Sequence, residues 1–236
     1  MAYVRHNLGA EASIRRPFAP SFGMRIGTLN LDGRWTSRHR DFLERLECDV
    51  LLLTEVPPEL ELSGMVGHHS EHKMAPGQSW AAIYAPDLWH LPDPHPAAAL
   101  AEVEGLRVCS SVLPWQGSRP HYPWGGDDSH GRISYAVDSI IEVEPLIWGG
   151  DWNASFAPRG YTGARGSREV LRKAADRLQL TIATEHLDIQ AGNDKSIDHV
   201  AVPAHWTVRA AGQHRAEDQH GMLSDHDAYV VQVTPA

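Results

Sequence analysis

The sequence has 236 residues, of which 42% are hydrophobic, and this is enough to bury one large core without disulfides or oligomerisation. Its formal net charge of −9 argues against a protein that grips nucleic acid over its whole surface, because such domains are usually basic. The two cysteines lack the spacing of a disulfide scaffold or a zinc ribbon, so a reducing compartment is expected.

The N-terminal segment has no continuous apolar region of the secretory type, and no later stretch has the length of a membrane span. We expect residues 1–23 to form a poorly ordered leader and residues 24–236 to form a single domain. The protein is expected to be cytoplasmic and monomeric, with no membrane partner.

The first part of the chain predicts a strand, a helix and a second strand. Alternating apolar residues in "MRIGTLN" run into Asp-Gly, as in a strand that ends in a loop. The segment "TSRHRDFLERLECD" predicts a helix with Thr36 or Ser37 as its N-cap. The apolar run of "DVLLLTEV" indicates a strand that is covered on both faces and ends at Glu55.

The rest of the chain mixes strands and helices. "SWAAIYA" and "LRVCSSVLPW" predict two strands, and the Pro- and Ala-rich segment between them could hold a short edge strand. "ISYAVDSIIE" and "SREVLRKAADRLQL" predict helices on either side of the strand "PLIWGGDWN", the second with Ser167 as N-cap. Strand patterns in "SIDHVAVP" and "HDAYVVQV" follow. This mixture predicts a layered α/β sandwich.

Five predicted strand ends carry side chains that bind hard divalent cations or transfer protons. They are Asn30, Glu55, Asp151 with Asn153, Asp198 with His199, and Asp225 with His226. Because side chains alternate along a strand, Asp151 and Asn153 should share one face while Trp152 packs into the other. Taken singly, each has a structural explanation: Asn30 as a turn residue, Glu55 as an exposed strand end, and the Asp-His segments as ordinary loops.

Taken together and in this order, the segments resemble the endonuclease/exonuclease/phosphatase superfamily, the DNase I-like metal-dependent phosphoesterases. The resemblance covers about residues 24–235 and rests on "TLN", "LLLTEV", "GGDWN", "SIDHV" and "LSDHDAY". It implies a four-layer α/β/β/α sandwich, in which two mainly antiparallel sheets pack face to face between helices. The active site would lie at one end of the sheets and hydrolyse phosphodiester bonds, most of all in nucleic acid, as an endonuclease or exonuclease.

The resemblance also implies a divalent cation, Mg²⁺, for which Mn²⁺ can substitute. Glu55 is the expected principal ligand, with Asn30 nearby and Asp225 assisting. Mg²⁺ prefers oxygen ligands and keeps several waters, so one or two carboxylates suffice and no histidine-rich cage is needed. The histidine-rich segment "GHHSEH" lacks a second ligand cluster, and we interpret it as an exposed polar loop rather than a zinc site.

Four residues carry the catalytic roles that the resemblance implies. Asp151 would orient or deprotonate the attacking water, and Asn153 would hold that water or the substrate. Asp198 would hydrogen-bond His226 and keep its ring protonated, so that His226 can stabilise the charge that develops on the phosphorus. Alternation along the strand favours Asp198 over its neighbour His199 for this contact.

One segment departs from the family pattern. Many members carry a His or Tyr at the end of the strand that corresponds to "LRVCSSVLPW", and here Ser111 to Trp115 contains neither. The following loop has residues that could replace it, although such a loop is as readily a mobile surface segment. These residues are Arg119, His121, Tyr122 and His130.

The substrate is less defined by the sequence. Asn30, Arg119, Arg159 and Arg165 are the expected substrate-binding residues, the arginines forming a positive rim on an acidic protein. Trp115, Tyr122 and Trp124 could stack on bases or pack a loop against the core. Two alternatives stay open on the same fold: a phosphatase or phosphodiesterase for a small-molecule or lipid phosphoester, and a non-catalytic binding protein.

Overall fold

The computed structural model describes residues 23–119, 122–156, 163–187 and 196–236, and most of the predicted leader lies outside these ranges. The elements up to the middle of the chain are β1 (Met24–Asn30), α1 (Ser37–Arg45), β2 (Val50–Val56), β3 (Val66–His69), β4 (Lys73–Ala75), β5 (Gln78–Ala85), β6 (Trp89–His90), β7 (Ala98–Val103) and β8 (Leu106–Ser111). They are followed by α2 (Ser129–Glu142), β9 (Ile147–Asp151), α3 (Ser167–Leu178), β10 (Leu180–Ile182), β11 (Asp198–Pro203), β12 (Thr207–His214), β13 (Glu217–Asp218), β14 (Gly221–Met222) and β15 (Ala228–Thr234).

Most of the strands form two mixed sheets. The seven-stranded sheet has the order β12-β15-β1-β2-β5-β3, with β4 also paired to β5, and the six-stranded sheet has the order β10-β11-β9-β8-β7-β6. The pairs β1–β2 and β8–β9 are parallel, and the other pairs in the two sheets are antiparallel. A two-stranded hairpin, β13–β14, stands apart from both sheets.

The alternation of side chains along β2 shows how the layers are built. Leu52 faces the second sheet and is buried in one cluster with Val108 and Val200. Leu51 faces the other way and is buried in a cluster with Phe42 of α1. Because both faces of β2 are covered, its apolar run is continuous, as predicted from the sequence.

The two later helices cover the outer face of the second sheet. Ile133 and Val137 of α2 and Leu171 of α3 are buried in one cluster with Trp148 of β9. The layers are therefore α1, the seven-stranded sheet, the six-stranded sheet, and α2 with α3. The predicted four-layer α/β/β/α sandwich is confirmed. None of the helices in the described ranges has the length and hydrophobicity needed to cross a membrane.

Several local predictions need correction. Ser167 is the first helical residue of α3 and not its N-cap, which is Gly166 in a left-handed conformation with φ 82°. The possible short edge strand is β7, which has six residues and lies inside its sheet between β6 and β8. The helix predicted from Ile133 begins earlier, at Ser129, because Asp128 accepts a hydrogen bond from the Gly131 backbone and caps it.

The histidine-rich segment is also different from the prediction. His68 and His69 lie in β3 and pair with Ile83 and Ala82 of β5, so they do not belong to an exposed loop. Their half-buried rings are held by local contacts, since His68 Nε2 lies 2.9 Å from Asp93 Oδ1 and His69 Nε2 lies 2.6 Å from the Tyr84 hydroxyl. A polar edge strand has no apolar alternation, and its identity depends on the strand with which it pairs.

Candidate active site

The two sheets contribute polar side chains to one shared edge, and Asn30 connects them. Asn30 ends β1, and its amide nitrogen donates to Glu55 Oε1 at 3.0 Å and to Asp151 Oδ2 at 3.1 Å. Glu55 belongs to β2 of the same sheet, whereas Asp151 ends β9 of the opposite sheet. One buried amide therefore fixes the distance between the two carboxylates.

Glu55 is held in an unusual backbone conformation. Its φ of 52° lies in the left-handed region, which costs about 1–2 kcal/mol for a residue with a Cβ. The backbone N–H of Gly33 donates to the Glu55 carbonyl at 3.0 Å, and Gln78 Nε2 approaches Glu55 Oε2 at 3.4 Å. The half-buried carboxylate is thus presented beside Asn30 by a strained strand end, a feature that often accompanies a functional site.

Asp151 and Asn153 are separated by a buried tryptophan, as predicted. Asp151 is buried and accepts two hydrogen bonds, from Asn30 and from the backbone N–H of Asn153 at 3.0 Å. The Asn153 amide nitrogen donates to the Leu113 carbonyl at 3.1 Å. Trp152 is fully buried, with its ring centroid 4.4 Å from that of Trp148. The tryptophan anchors the chain while the acid and the amide stay at the site.

Gly150 of "GGDWN" is required by close packing between β9 and the end of β8. A Cβ on Gly150 would stand 2.2 Å from the Ser111 carbonyl oxygen, and the residue has a φ of 120°. Any other amino acid at position 150 would push β8 away from β9, the strand that ends at Asp151.

Asp198 and His226 form the predicted acid–histidine pair. His226 Nδ1 lies 2.7 Å from Asp198 Oδ2, and Asp198 pairs directly with Asp151 across β11 and β9. The turn that carries His226 is tied to the first sheet, because the Ser224 hydroxyl donates to the Asn30 carbonyl at 2.6 Å and accepts from the His226 backbone at 3.1 Å. His226 is therefore positioned from both sheets.

His199 points to the opposite side of β11 and is fully buried. Its Nδ1 lies 3.1 Å from the Thr184 hydroxyl, and its Nε2 lies 2.9 Å from the Ala154 carbonyl. Burial lowers the pKa of His199 to about 4, so this ring is neutral and structural. Alternation along the strand separates it from the site, as the sequence predicted.

The charges at the site shift one another's pKa. Burial, followed by repulsion from Asp198, raises the pKa of Asp151 well above that of an ordinary aspartate, although His226 and the two hydrogen bonds oppose this. Burial alone would lower the pKa of His226, but the charge and hydrogen bond of Asp198, with Asp151 and Asp225, outweigh it and raise that pKa well above its ordinary value. The site thus combines a charged imidazolium with a carboxylate that accepts a proton more readily than usual.

The donor set fits a hard divalent cation. Ligand atoms of Asp151, Asp198 and His226 lie within 4.8 Å of one another, and because the His226 ring is protonated, the two carboxylates are the members of this group that suit a cation. Asp198 Oδ1 is buried and has no hydrogen-bond partner among the described residues, a costly arrangement for a carboxylate unless an ion or substrate approaches it. Together with Glu55, the site offers carboxylate oxygens of the kind that Mg²⁺ takes.

The remaining predicted site residues are exposed or lie outside the described residues. Asp225 is exposed, and its carboxylate is not among the clustered ligand atoms, although its charge acts on His226. Arg119 and Arg165 are exposed, and the Arg165 backbone N–H donates to the Ser129 hydroxyl at 2.8 Å. Arg159 lies outside the described residues, as does His121.

Residues 111–115, which depart from the family pattern, make packing and backbone contacts. The Ser111 hydroxyl accepts a hydrogen bond from Trp148 Nε1 at 2.9 Å, and the Leu113 N–H donates to the Asp151 carbonyl at 2.9 Å. Trp124 is buried and packs against Trp80, which favours its predicted packing role over stacking on a base. Tyr122 remains exposed on the following loop, whereas His130 is exposed in the first turn of α2.

Sequence reasoning missed two residues that support the site. Gln78 contacts Glu55 from the start of β5, and no sequence signal marks it, because the contact depends on strand pairing. Ser224 belongs to the segment "LSDHDAY", and its position two residues before His226 was the signal that could have identified it.

Comparisons with known proteins agree with this geometry at the level of the fold. No protein-family model and no curated protein matches the sequence. Among solved structures, the endonuclease domain of TRAS1, a telomere-specific non-LTR retrotransposon, matches with 17% identity and a TM-score of 0.63, covering 90% of this chain and 99% of that one. The AP endonuclease LMAP from Leishmania major matches with 14% identity and a TM-score of 0.63, covering 93% and 90%.

The human Nocturnin catalytic domain matches with 17% identity and a TM-score of 0.59, covering 91% of this chain and 94% of that one. A protein described as the endonuclease/exonuclease/phosphatase from Beutenbergia cavernae is also similar, with 14% identity, a TM-score of 0.55 and coverage of 91% and 72%. At identities this low, the structural matches show a common fold, and at that level they confirm the resemblance found in the motifs.

Proposed function

We propose that this chain is a Mg²⁺-dependent phosphoesterase that hydrolyses phosphodiester bonds, most of all those of nucleic acid. The observation that carries the proposal is the linkage of Glu55 and Asp151 through Asn30, directly beside the Asp198–His226 pair. A shared fold alone would not suffice, because one fold supports many functions.

The chemistry of a phosphodiester explains why these groups belong together. Its anionic oxygens repel a nucleophile, so hydrolysis requires charge neutralisation and a positioned water. A divalent cation, when bound, supplies Lewis-acid neutralisation of the phosphate oxygens. Glu55 and Asn30 are the proposed residues that hold it, and Asp225 assists through its negative charge beside His226.

Asp151 is the proposed base. Its raised pKa suits it to receive a proton from the attacking water, and its two hydrogen-bond donors fix the direction of the carboxylate. Asn153 holds that water or a phosphate oxygen close to Asp151. The pairing of Asp151 with Asp198 across the strands keeps this base next to the charged imidazole.

His226 is the proposed electrostatic partner of the transition state. A protonated ring beside the phosphate stabilises the additional negative charge, and Asp198 keeps that ring charged and aimed. Arg119, Arg159 and Arg165 are the proposed phosphate contacts at the rim. A proton donor for the leaving oxygen has to come from outside residues 111–115, and the exposed candidates are Tyr122 on the next loop and His130 in the first turn of α2.

A substrate screen tests the function. The purified protein should cleave labelled single-stranded DNA, duplex DNA or RNA with Mg²⁺ or Mn²⁺, and EDTA should stop the reaction. The His226→Ala protein, purified in parallel, controls for a contaminating nuclease. Hydrolysis confined to small phosphoesters would favour the alternative substrate class, and no hydrolysis of any substrate would favour a binding protein.

Glu55 provides the test of the metal assignment. We expect Glu55→Gln to weaken Mg²⁺ binding by about tenfold or more, because a neutral amide replaces the carboxylate while its oxygen can still accept from Asn30. Isothermal titration calorimetry measures the affinity, and Glu59→Gln, at an exposed position on the same segment, is the matched control. An unchanged Mg²⁺ affinity in a folded Glu55→Gln protein would remove Glu55 from this role.

A further inference from the structure

Tyr122 is an exposed aromatic residue on a segment that is anchored in the core. Its side chain is 61% exposed, whereas Trp124, two residues later, is buried. The Trp124 ring packs edge-on against Trp80 with 5.2 Å between centroids and stacks on His95 at 5.8 Å. The loop between β8 and α2 therefore holds the Tyr122 ring in solvent from a fixed base.

Strand pairing places this ring on the Glu55 side of the candidate active site. The Tyr122 ring meets the His72 ring edge-on, with 5.6 Å between centroids. Lys73, the next residue, pairs with Ser79 of β5, and Ser79 pairs with Val56, which follows Glu55. Two strand spacings, about 10 Å, thus separate the start of β4 from the strand end that carries Glu55.

Two cations lie on the segments that carry Tyr122 and His72. Lys73 is exposed, and its ammonium group donates to the Ser70 carbonyl and the Ser79 hydroxyl, which holds it beside β5. Arg119 is exposed three residues before Tyr122 on the same loop. Cations interleaved with exposed aromatic rings are the combination by which proteins bind single-stranded nucleic acid.

We propose that Tyr122, supported by His72, stacks on an unpaired base of the substrate and so directs the enzyme to single-stranded segments of nucleic acid. This inference rests on the proposed function and specifies its substrate class. A base within a duplex has both faces covered by its neighbours, so only an unpaired base offers a face to the ring. Trp124 cannot stack on a base, because its ring is buried in packing contacts.

Binding of two matched oligonucleotides tests the proposal. The probes are a fluorescein-labelled single-stranded oligothymidylate and a strand of equal length in which every interior residue is abasic. Affinities are measured by fluorescence anisotropy in the His226→Ala background, so that cleavage during the measurement is slowed. We expect Tyr122→Ala to weaken binding of the base-bearing strand by about 5- to 150-fold and to leave the abasic strand unchanged.

Two controls separate stacking from other effects. Tyr122→Phe should retain affinity, because it keeps the ring and removes only the hydroxyl. Trp89→Ala removes an aromatic side chain that is 71% exposed and lies on β6. Trp89 pairs with Glu102 of β7, whereas Ser111, the last residue of β8, pairs with Ala98, four positions earlier on β7. Trp89→Ala should leave both affinities unchanged. His72→Ala should produce a smaller loss than Tyr122→Ala, again only for the base-bearing strand.

The outcomes distinguish this inference from the function on which it rests. If the wild-type protein cleaves single strands with Mg²⁺ but Tyr122→Ala weakens both probes equally or neither, the stacking role is wrong and the nuclease function stands. If the wild-type protein neither cleaves nor binds nucleic acid, the proposed function and the stacking role both fail.

Discussion

Replacing His226 with alanine should lower turnover by about two to four orders of magnitude on any substrate that the screen identifies. The ring is held by Asp198 at 2.7 Å and by a turn that is hydrogen-bonded to the end of β1, so the substitution removes a positioned charge. Asp198→Asn should have an effect of similar size, because it leaves the ring present but poorly oriented and less strongly protonated.

A double-mutant cycle separates joint from independent action. If Asp198 acts through His226, the double mutant is little slower than His226→Ala alone. His205→Ala is the control, because His205 is exposed in the turn after β11, away from Asp198. Fully additive losses would show that Asp198 works independently of His226.

The pH profile offers a second measurement on the same pair. Asp198 raises the pKa of His226 through its charge and hydrogen bond, so Asp198→Asn should lower that pKa. If the protonated ring is the active form, the alkaline limb of kcat/KM then moves to lower pH in the variant. An unmoved limb, together with a large loss of rate, would mean that Asp198 supports the fold rather than the charge of His226.

Asp151→Asn should reduce turnover by about three orders of magnitude while the protein remains folded. The amide cannot accept a proton from water at neutral pH, so the proposed base is removed. Both Asp151 oxygens accept N–H donors, and the amide group of asparagine must turn a donor toward one of them, which makes the replacement imperfect.

The stability of this variant should depend on pH with a defined sign. Because the pKa of Asp151 is raised in the fold, the native state binds a proton more tightly than the unfolded chain, whose aspartates titrate near pH 4. The contribution of Asp151 to stability is therefore present at low pH and is lost as the pH rises through the raised pKa. Urea unfolding in EDTA should show the stability of Asp151→Asn rising relative to wild type over this range.

Asp176→Asn, at an exposed position on α3, is the matched control and should show no such trend. A constant stability difference between Asp151→Asn and wild type from pH 4 to pH 9 would mean that the carboxylate is not destabilised by burial. A fully active variant would assign the role of base to another group.

Much of the geometry of the candidate site could be predicted from the sequence, because that geometry depends on local rules. The end of an apolar strand and the alternation of side chains are properties of a few consecutive residues. They were sufficient to predict that Asp151 and Asn153 stand on either side of a buried Trp152, and that Asp198 rather than His199 contacts His226. The order of five such strand ends was sufficient for a resemblance that predicted the four layers.

Tertiary structure alone decided which of these groups meet and which stay apart. Asn30 and Asp151 are 121 positions apart, and their hydrogen bond exists only because two sheets pack with their ends aligned. Asp225 directly precedes His226 in the same turn, yet its side chain is exposed to solvent.

The same reason explains the elements and residues that the sequence did not resolve. The polar strands β3 and β12 become strands because an adjacent strand offers them hydrogen-bond partners, which no local pattern records. Tyr122 and Trp124 are alike in the sequence, as aromatic residues of one loop, but packing against Trp80 buries one ring and leaves the other exposed. Burial is a property of the whole assembly of layers, so the exposed ring could be identified only once those layers were in place.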